Sequence, residues 1–487
     1  MQLSELLKDW PCEVKGSIRT EIEGIEEHVE RLKSKQLFVM RKGKRFNAFK
    51  AIDKVIEKGA AAIVLEDEKF FDEKEVDIPI IWVPNLSQFV AHASHTLYGK
   101  PSEVLKIVAI TGTNGKTTVS HFVGQLLHSF NKKVMVMGTN GIYVNGKRYI
   151  DEDLESLTTL SAIQFHQLLR KAVTEEIEYV VLEASSIGLA SYRLDFCDID
   201  IGVFLNLSQD HLDEHGSAEQ YKLAKQRLSF IAKSLIFNRD DSFCRALNVV
   251  CRRPKSNFSL EEKADVTLQI LSRNAEYTTC LIQAGNEYKV INIPFIFNHE
   301  LYNVLAAITI MKKLDFQFEI VLEACRNLKL PVGRLERFVL ENGTNIYVDY
   351  AHSPGAFLAV LQPIKELSHY EKIIVVFSCG GNRDQTKRSE MGRIASKYAD
   401  MIILTTDNCR DENPHQINEQ IKEGFFAMQQ YEEILNREEA IRYAIGIAKP
   451  KDVVLVLGKG HETTQIIGNN TVYFSDRDIV QEYVSKR

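Results

Sequence analysis

No stretch of this 487-residue sequence approaches the ~20 consecutive apolar residues that span a bilayer, so no membrane-spanning role is expected. A basic excess is also missing. The chain has 60 Lys and Arg against 66 Asp and Glu, a net charge of −6, and this argues against a broad nucleic-acid surface. Its eight cysteines are scattered, without a C-x-x-C pair or a zinc-type spacing, and read as reduced cytosolic thiols. The opening MQLSELLKDWP has no basic segment followed by an apolar one, so no secretion signal is expected. Low-complexity linkers and short-period repeats are absent as well. These absences point to a cytoplasmic protein acting on small molecules, expected to be a monomer without nucleic-acid or membrane partners. What is present is ordinary globular composition, 45% hydrophobic and 26% charged, in a chain long enough for roughly three domains.

The chain is organised around residues 104–129, VLKIVAITGTNGKTTVSHFVGQLLHS. Residues 105–110 are an apolar run of strand type, and a helical pattern with Phe122, Leu126 and Leu127 on one face follows Lys116. Between them lies Thr111-Gly112-Thr113-Asn114-Gly115-Lys116-Thr117-Thr118. A strand, a glycine-bearing turn and a helix opened by Lys-Thr make a phosphate cradle. Glycines let backbone N–H groups approach the anion, and the helix N-terminus adds unpaired donors and a positive dipole end. Lys116 supplies a point charge, and Thr117 can place a hydroxyl on Mg2+. The turn is shorter than G-x-x-x-x-G-K-[ST], whose first glycine would fall at Ile110.

Strand and helix signals alternate along the rest of the chain. Before residue 100, strands are expected at 36–40, 59–65 and 80–83, with a helix at 46–58. Strands at 133–138, 179–186 and 199–205 follow the cradle. Three strands here finish in Thr/Asn, Glu/Ser or Asp/His clusters, the pattern of a nucleotide-metal site at the carboxyl edge of an open sheet. Residues 256–296, richer in Thr, Tyr, Ile and Gln, read as a β insertion. Further strands are expected at 345–349, 372–379, 401–407 and 452–457, and helices after Pro354, Lys387, Pro414 and Ser475, with Ser475 as an N-cap. The architecture restarts near residues 100 and 332, giving units 1–100, 101–332 and 333–487.

Nine blocks in order resemble the Mur ligase family, in its MurE type. They are TGTNGKTT (111–118), EASS (183–186), NLSQDHLDEHG (206–216), YKLAKQRL (221–228), GRLER (333–337), DYAHSP (349–354), CGGNRDQTKRSEMGRIA (379–395), DNCRDENP (407–414) and GKGHE (458–462). The resemblance implies an α/β protein of three domains. These are a small N-terminal acceptor domain, a central P-loop parallel-sheet ATPase domain and a C-terminal Rossmann-like domain, with ATP between the last two. It implies an ATP-dependent ligase that adds meso-diaminopimelate to UDP-N-acetylmuramoyl-L-alanyl-D-glutamate, a carboxylate being activated as an acyl phosphate and captured by an amine.

By the same resemblance the ATP site comprises Gly112, Thr113, Asn114, Gly115, Lys116, Thr117, Thr118, Asn303, Arg334 and Asp349. Mg2+ falls to Thr117, Glu183, His211 and Lys225, with Lys225 matching a lysine that is N6-carboxylated in the family. Lys116, Lys225 and Arg334 are the catalytic candidates, since phosphoryl transfer needs cations and metal to spread charge. Arg383, Asp407, Asn408, Arg410, Gly458 and Glu462 are assigned to the amino acid, and an arginine at 410 suits a second carboxylate. Thr158, Thr159, Ser185 and Arg193 are assigned to the acceptor. Plainer readings stand beside these: a salt-bridged Glu183, a structural His211, solvated Lys222 and Lys225, and a surface ion pair at Arg410.

The departures gather in the acceptor half. His28-Val29-Glu30 stands where Asp-Ser-Arg is usual, Leu157 precedes the Thr pair, and Ile187 follows Ser185-Ser186. Elsewhere Cys409 replaces a proline, and Phe297-Asn298-His299-Glu300 departs from the usual Gly-x-Phe. A Mur-type ligase acting on another carboxylate, or a nucleotide-binding regulatory protein with a degenerate site, therefore remains an alternative.

Overall fold

The computed structural model describes residues 1–41, 51–73, 76–208, 216–274, 276–366 and 369–485. Among them lie a 5-stranded, an 11-stranded and a 6-stranded sheet and a separate two-stranded hairpin. The protein is α/β, as the alternating signals require.

The strand Lys106–Thr111 sits inside the largest sheet, between Ile199–Phe204 and Tyr179–Glu183, and is parallel to both. Successive side chains point to opposite faces. Val108 and Ile110 join one core with Phe122, Leu126 and Leu127 of the helix Lys116–Ser129 and with the helix Asn298–Lys313. Ile107 and Ala109 join a second core on the other face, with Phe165, Leu168 and Leu169 of the helix Ala162–Thr174. Burial on both faces is why these strands read as continuous apolar runs. Each large side chain so buried contributes about 1.5–3 kcal/mol, which fixes the strand that delivers the glycine turn.

Residues 256–296 form no separate insertion. Lys255–Ser259 and Val266–Arg273 continue the same sheet in parallel, and Thr278–Ala284 and Glu287–Ile293 extend it antiparallel to its edge. Their alternating inward residues, Val266, Leu268, Cys280, Ile282, Ile291 and Ile293, enter the core beneath the helix Asn298–Lys313. The expected helix at 46–58 is seen as Ile52–Glu57, residues 46–50 lying outside those described. Ser475 accepts a bond from the Asp478 N–H (3.2 Å) at the start of the last helix.

The first sheet packs through the helix Leu86–Leu97 against Ala162–Thr174. His166 is buried in this contact, its ring 5.3 Å from that of His95, and neither of its nitrogens has a hydrogen-bond partner among the described residues. Burial holds its pKa down at about 3. The folded protein thus keeps His166 neutral while the unfolded chain protonates it near pH 6.5. Its contribution is full above that pH and fades as pH falls toward 3, by about 1.4 kcal/mol per unit. About 2 kcal/mol of stability is expected to go between pH 7 and pH 5. His166→Leu should remove that part of the decline, which urea midpoints at the two pH values will read. An unchanged slope in the variant would refute the assignment.

Candidate active site

The cradle is built at the carboxyl ends of adjacent parallel strands, where open sheets bind ligands. Gly115 caps the helix Lys116–Ser129 at φ 89°, and no side chain caps that end. The leading N–H groups therefore keep their capacity for an anion. The turn is stitched to the next strand's exit: Asn114 N–H donates to Asn206 Oδ1 (2.9 Å), and Asn206 Nδ2 returns a bond to the Asn114 carbonyl (3.1 Å). Thr113 Oγ1 lies 3.0 Å from the Tyr221 hydroxyl and accepts from the Ser208 N–H at 3.0 Å. Lys116 Nζ donates to the carbonyls of Gly112 (2.8 Å) and Thr113 (3.0 Å). Lys225 Nζ reaches the same Gly112 carbonyl at 2.8 Å.

Lys225 is only 2% exposed, which rules out its reading as a solvated lysine; Lys222, on the same helix, is exposed. Glu183 is also buried. Its Oε1 accepts from the Thr139 N–H (2.9 Å) and its Oε2 from the Thr139 hydroxyl (3.0 Å). A Cβ on Gly138 would sit 2.0 Å from Glu183 Oε1, so only glycine leaves room for the carboxylate. The apolar runs that precede Glu183 and His211 are consecutive in the chain, which on sequence alone suggests neighbouring strands. In fact the strands before them flank Lys106–Thr111 on opposite sides, because the cradle strand inserts between the two. His211 itself lies outside the described residues. Thr117 and Glu183 supply the oxygen donors that suit Mg2+, whereas Lys225 as an ammonium does not. Thr139 lies in the Thr/Asn cluster that ends the 133–138 strand, but the sequence alone assigns it no role at the site.

A cavity of about 360 Å³ opens beside the cradle, between the second and third sheets. Asn114, Gly115 and Thr118 line it from one side and Arg334 and Asp349 from the other, with Asn303 on the central helix. Asn303 is pressed on the turn, its Oδ1 2.5 Å from where a Gly115 Cβ would be. The Arg334 guanidinium lies 4.9 Å from the Tyr350 ring centre, and its buried Nε has no hydrogen-bond partner among the described residues. Burial raises the pKa of Asp349, while Arg334 and the N–H groups of Leu335 (2.8 Å) and Ala351 (2.7 Å) draw it back. Glu300, also in the lining, is pushed to about 8 by burial. An orphaned guanidinium nitrogen and an uncapped helix end on the lining of one cavity fit a polyphosphate.

A second cavity, about 480 Å³, lies at the carboxyl ends of the third sheet's parallel strands, and all six amino-acid candidates line it: Arg383, Asp407, Asn408, Arg410, Gly458 and Glu462. Arg410 makes no ion pair among the described residues. It takes a left-handed backbone (φ 51°) and donates to the Gly381 carbonyl at 2.8 Å. Buried Arg388 clasps Glu412 with two nitrogens (2.8 and 3.0 Å), tying the loop that carries Arg410 to the one that carries Arg383. Cys409, in the proline's place, is buried against Gly381. The two cavities share Tyr350 and His352.

The acceptor candidates meet next to Glu183. Thr158 Oγ1 lies 3.1 Å from Thr139 Oγ1, Thr159 Oγ1 donates to Ser185 Oγ (3.0 Å), and Arg193 donates to the Thr159 carbonyl (2.6 Å). His28 faces Glu155 across the gap between the first two sheets, at 3.2 Å.

Residues 110–311 match the Mur ligase middle domain, and residues 333–460 match the Mur ligase glutamate ligase domain. The chain belongs to the Mur ligase family. Among relatives of this Mur ligase is the UDP-N-acetylmuramoyl-L-alanyl-D-glutamate–2,6-diaminopimelate ligase 2 of Clostridium acetobutylicum, 35% identical over 486 residues and covering 99% of each chain. The corresponding ligase of Caldanaerobacter subterraneus is 35% identical over 490 residues, covering 100% of this chain and 99% of that one. A solved structure of a ligase of the same name superimposes with a TM-score of 0.71 at 28% identity, covering 100% of this chain and 99% of that one. The MurF ligase of Thermotoga maritima, solved with ADP, gives a TM-score of 0.63 at 18% identity over 89% of this chain and 93% of that one. At that identity the likeness is one of fold. Among the described residues of this Mur ligase, no helix is long and apolar enough to cross a membrane.

Proposed function

We propose that this Mur ligase joins meso-diaminopimelate to UDP-N-acetylmuramoyl-L-alanyl-D-glutamate, converting ATP to ADP and phosphate, as a cytoplasmic step of peptidoglycan precursor synthesis. The observation that carries this reading is the pair of cavities that share Tyr350 and His352, one beside the glycine turn and the other lined by Arg383, Arg410, Asp407 and Glu462. The acceptor carboxylate takes the γ-phosphoryl group, the amine attacks the acyl phosphate, and phosphate leaves. Lys116 and Arg334 offset charge on the transferring group. Mg2+ would be held by Thr117 and Glu183, with an N6-carboxylated Lys225 as an added oxygen donor, and supplies charge neutralisation of the phosphates. Arg410 and Arg383 suit an amino acid with two carboxylates.

Phosphate release, with mass detection of the product, tests the reading. The UDP-sugar dipeptide with meso-diaminopimelate is expected to yield the tripeptide, and L-lysine in its place to react at least about 100-fold less efficiently, because an arginine is left without its carboxylate. No product with that acceptor and any diamino acid would overturn the reading. His28 and Leu157, in the acceptor half, favour a second reading with another carboxylate acceptor; product formed only from such an acceptor would support it.

A further inference from the structure

Within GKGHE, Lys459 is 0% exposed. A buried ammonium carries three protons that each need an acceptor. Lys459 Nζ finds Glu462 Oε2 (2.7 Å), the Thr464 carbonyl (2.7 Å) and Asn408 Oδ1 (3.2 Å). Asn408 Nδ2 in turn donates to the same Glu462 Oε2 at 2.9 Å, and Asn408 Oδ1 also accepts from the Ile466 N–H at 2.9 Å. This network ties down one oxygen of Glu462. The other, Oε1, has no hydrogen-bond partner among the described residues, and the 27% exposed side chain lines the cavity that holds Arg383 and Arg410.

We propose that Lys459 is a positioning residue of the amino-acid site. Acting with Asn408, it holds Glu462 by Oε2 so that Oε1 accepts an ammonium group of the incoming amino acid, whose carboxylates face the arginines. The inference rests on the ligase reading above. A lysine that merely fastened the hairpin Thr464–Ile467 and Asn470–Tyr473 would have no need to share one carboxylate oxygen with an asparagine of the same cavity.

The test uses the full chain and whichever amino acid supports phosphate release by the wild type. Absence of release with every amino acid tried overturns the ligase reading itself, before any variant is made. Given wild-type turnover, Lys459→Met is expected to raise KM for the amino acid about 10- to 100-fold, the loss of charged hydrogen bonds, with KM for ATP unchanged. Because the effect passes through Glu462, Lys459→Met combined with Glu462→Gln should be no worse than Glu462→Gln alone. Should Lys459→Met not fold, Lys459→Gln, which retains an N–H donor, is read by the same criteria with a smaller rise. Multiplying effects in the double variant, or equal rises in KM for ATP and amino acid, would show a structural lysine only and overturn the proposal.

Discussion

Lys116→Met is expected to lower the turnover number for phosphate release by about 100- to 1000-fold, the cost of removing one preorganised group that offsets transition-state charge. The expectation rests on position. The ammonium is held at the mouth of an uncapped helix end by the carbonyls of Gly112 and Thr113, at 2.8 and 3.0 Å. Those bonds are weak competitors for a polyphosphate, because a carbonyl carries only partial charge. The same bonds contribute little to the fold, about 1 kcal/mol each, so the melting temperature should hardly move. Lys116→Arg should recover part of the rate through its charge. Steady-state phosphate release and a thermal scan check this; a turnover number within threefold of wild type would exclude Lys116 from the chemistry.

Arg410→Ala should raise KM for meso-diaminopimelate at least about 100-fold and narrow its advantage over L-lysine, with KM for ATP unaffected. Its left-handed backbone, pinned by bonds from Arg410 N–H to the Ile466 carbonyl (3.1 Å) and from Gly468 N–H to the Arg410 carbonyl (2.7 Å), aims the side chain along the cavity wall. Arg410→Lys keeps a charge and loses the planar fork, so it should recover little of the preference. Initial rates with both amino acids decide the matter. If meso-diaminopimelate keeps its full advantage in Arg410→Ala, another group reads the second carboxylate.

Much of the site was legible because its signals are local. A strand, a glycine turn and Lys-Thr declare a cradle within a dozen residues, and the GRLER, DNCRDENP and GKGHE blocks each follow or precede an apolar run. Strand order is not local. Nothing near Tyr179–Glu183 or Ile199–Phe204 says that the 106–111 strand inserts between them, so consecutive runs in the sequence do not make neighbours in the sheet. The composition of 256–296 declares its β character, whereas only tertiary packing joins it to the central sheet. Burial was equally hidden: Lys225, Lys459 and His166 have residue types that normally face water, and only their surroundings reveal otherwise.

The wall common to both cavities has a pharmacological consequence. Tyr350 and His352, whose rings stand 4.6 Å apart, line both chambers. A single molecule pairing a purine-like head with a zwitterionic tail, joined by a non-hydrolysable phosphonate, would bridge both chambers and meet two independent sets of contacts. Resistance by one substitution would then remove half of its grip and leave the rest in place.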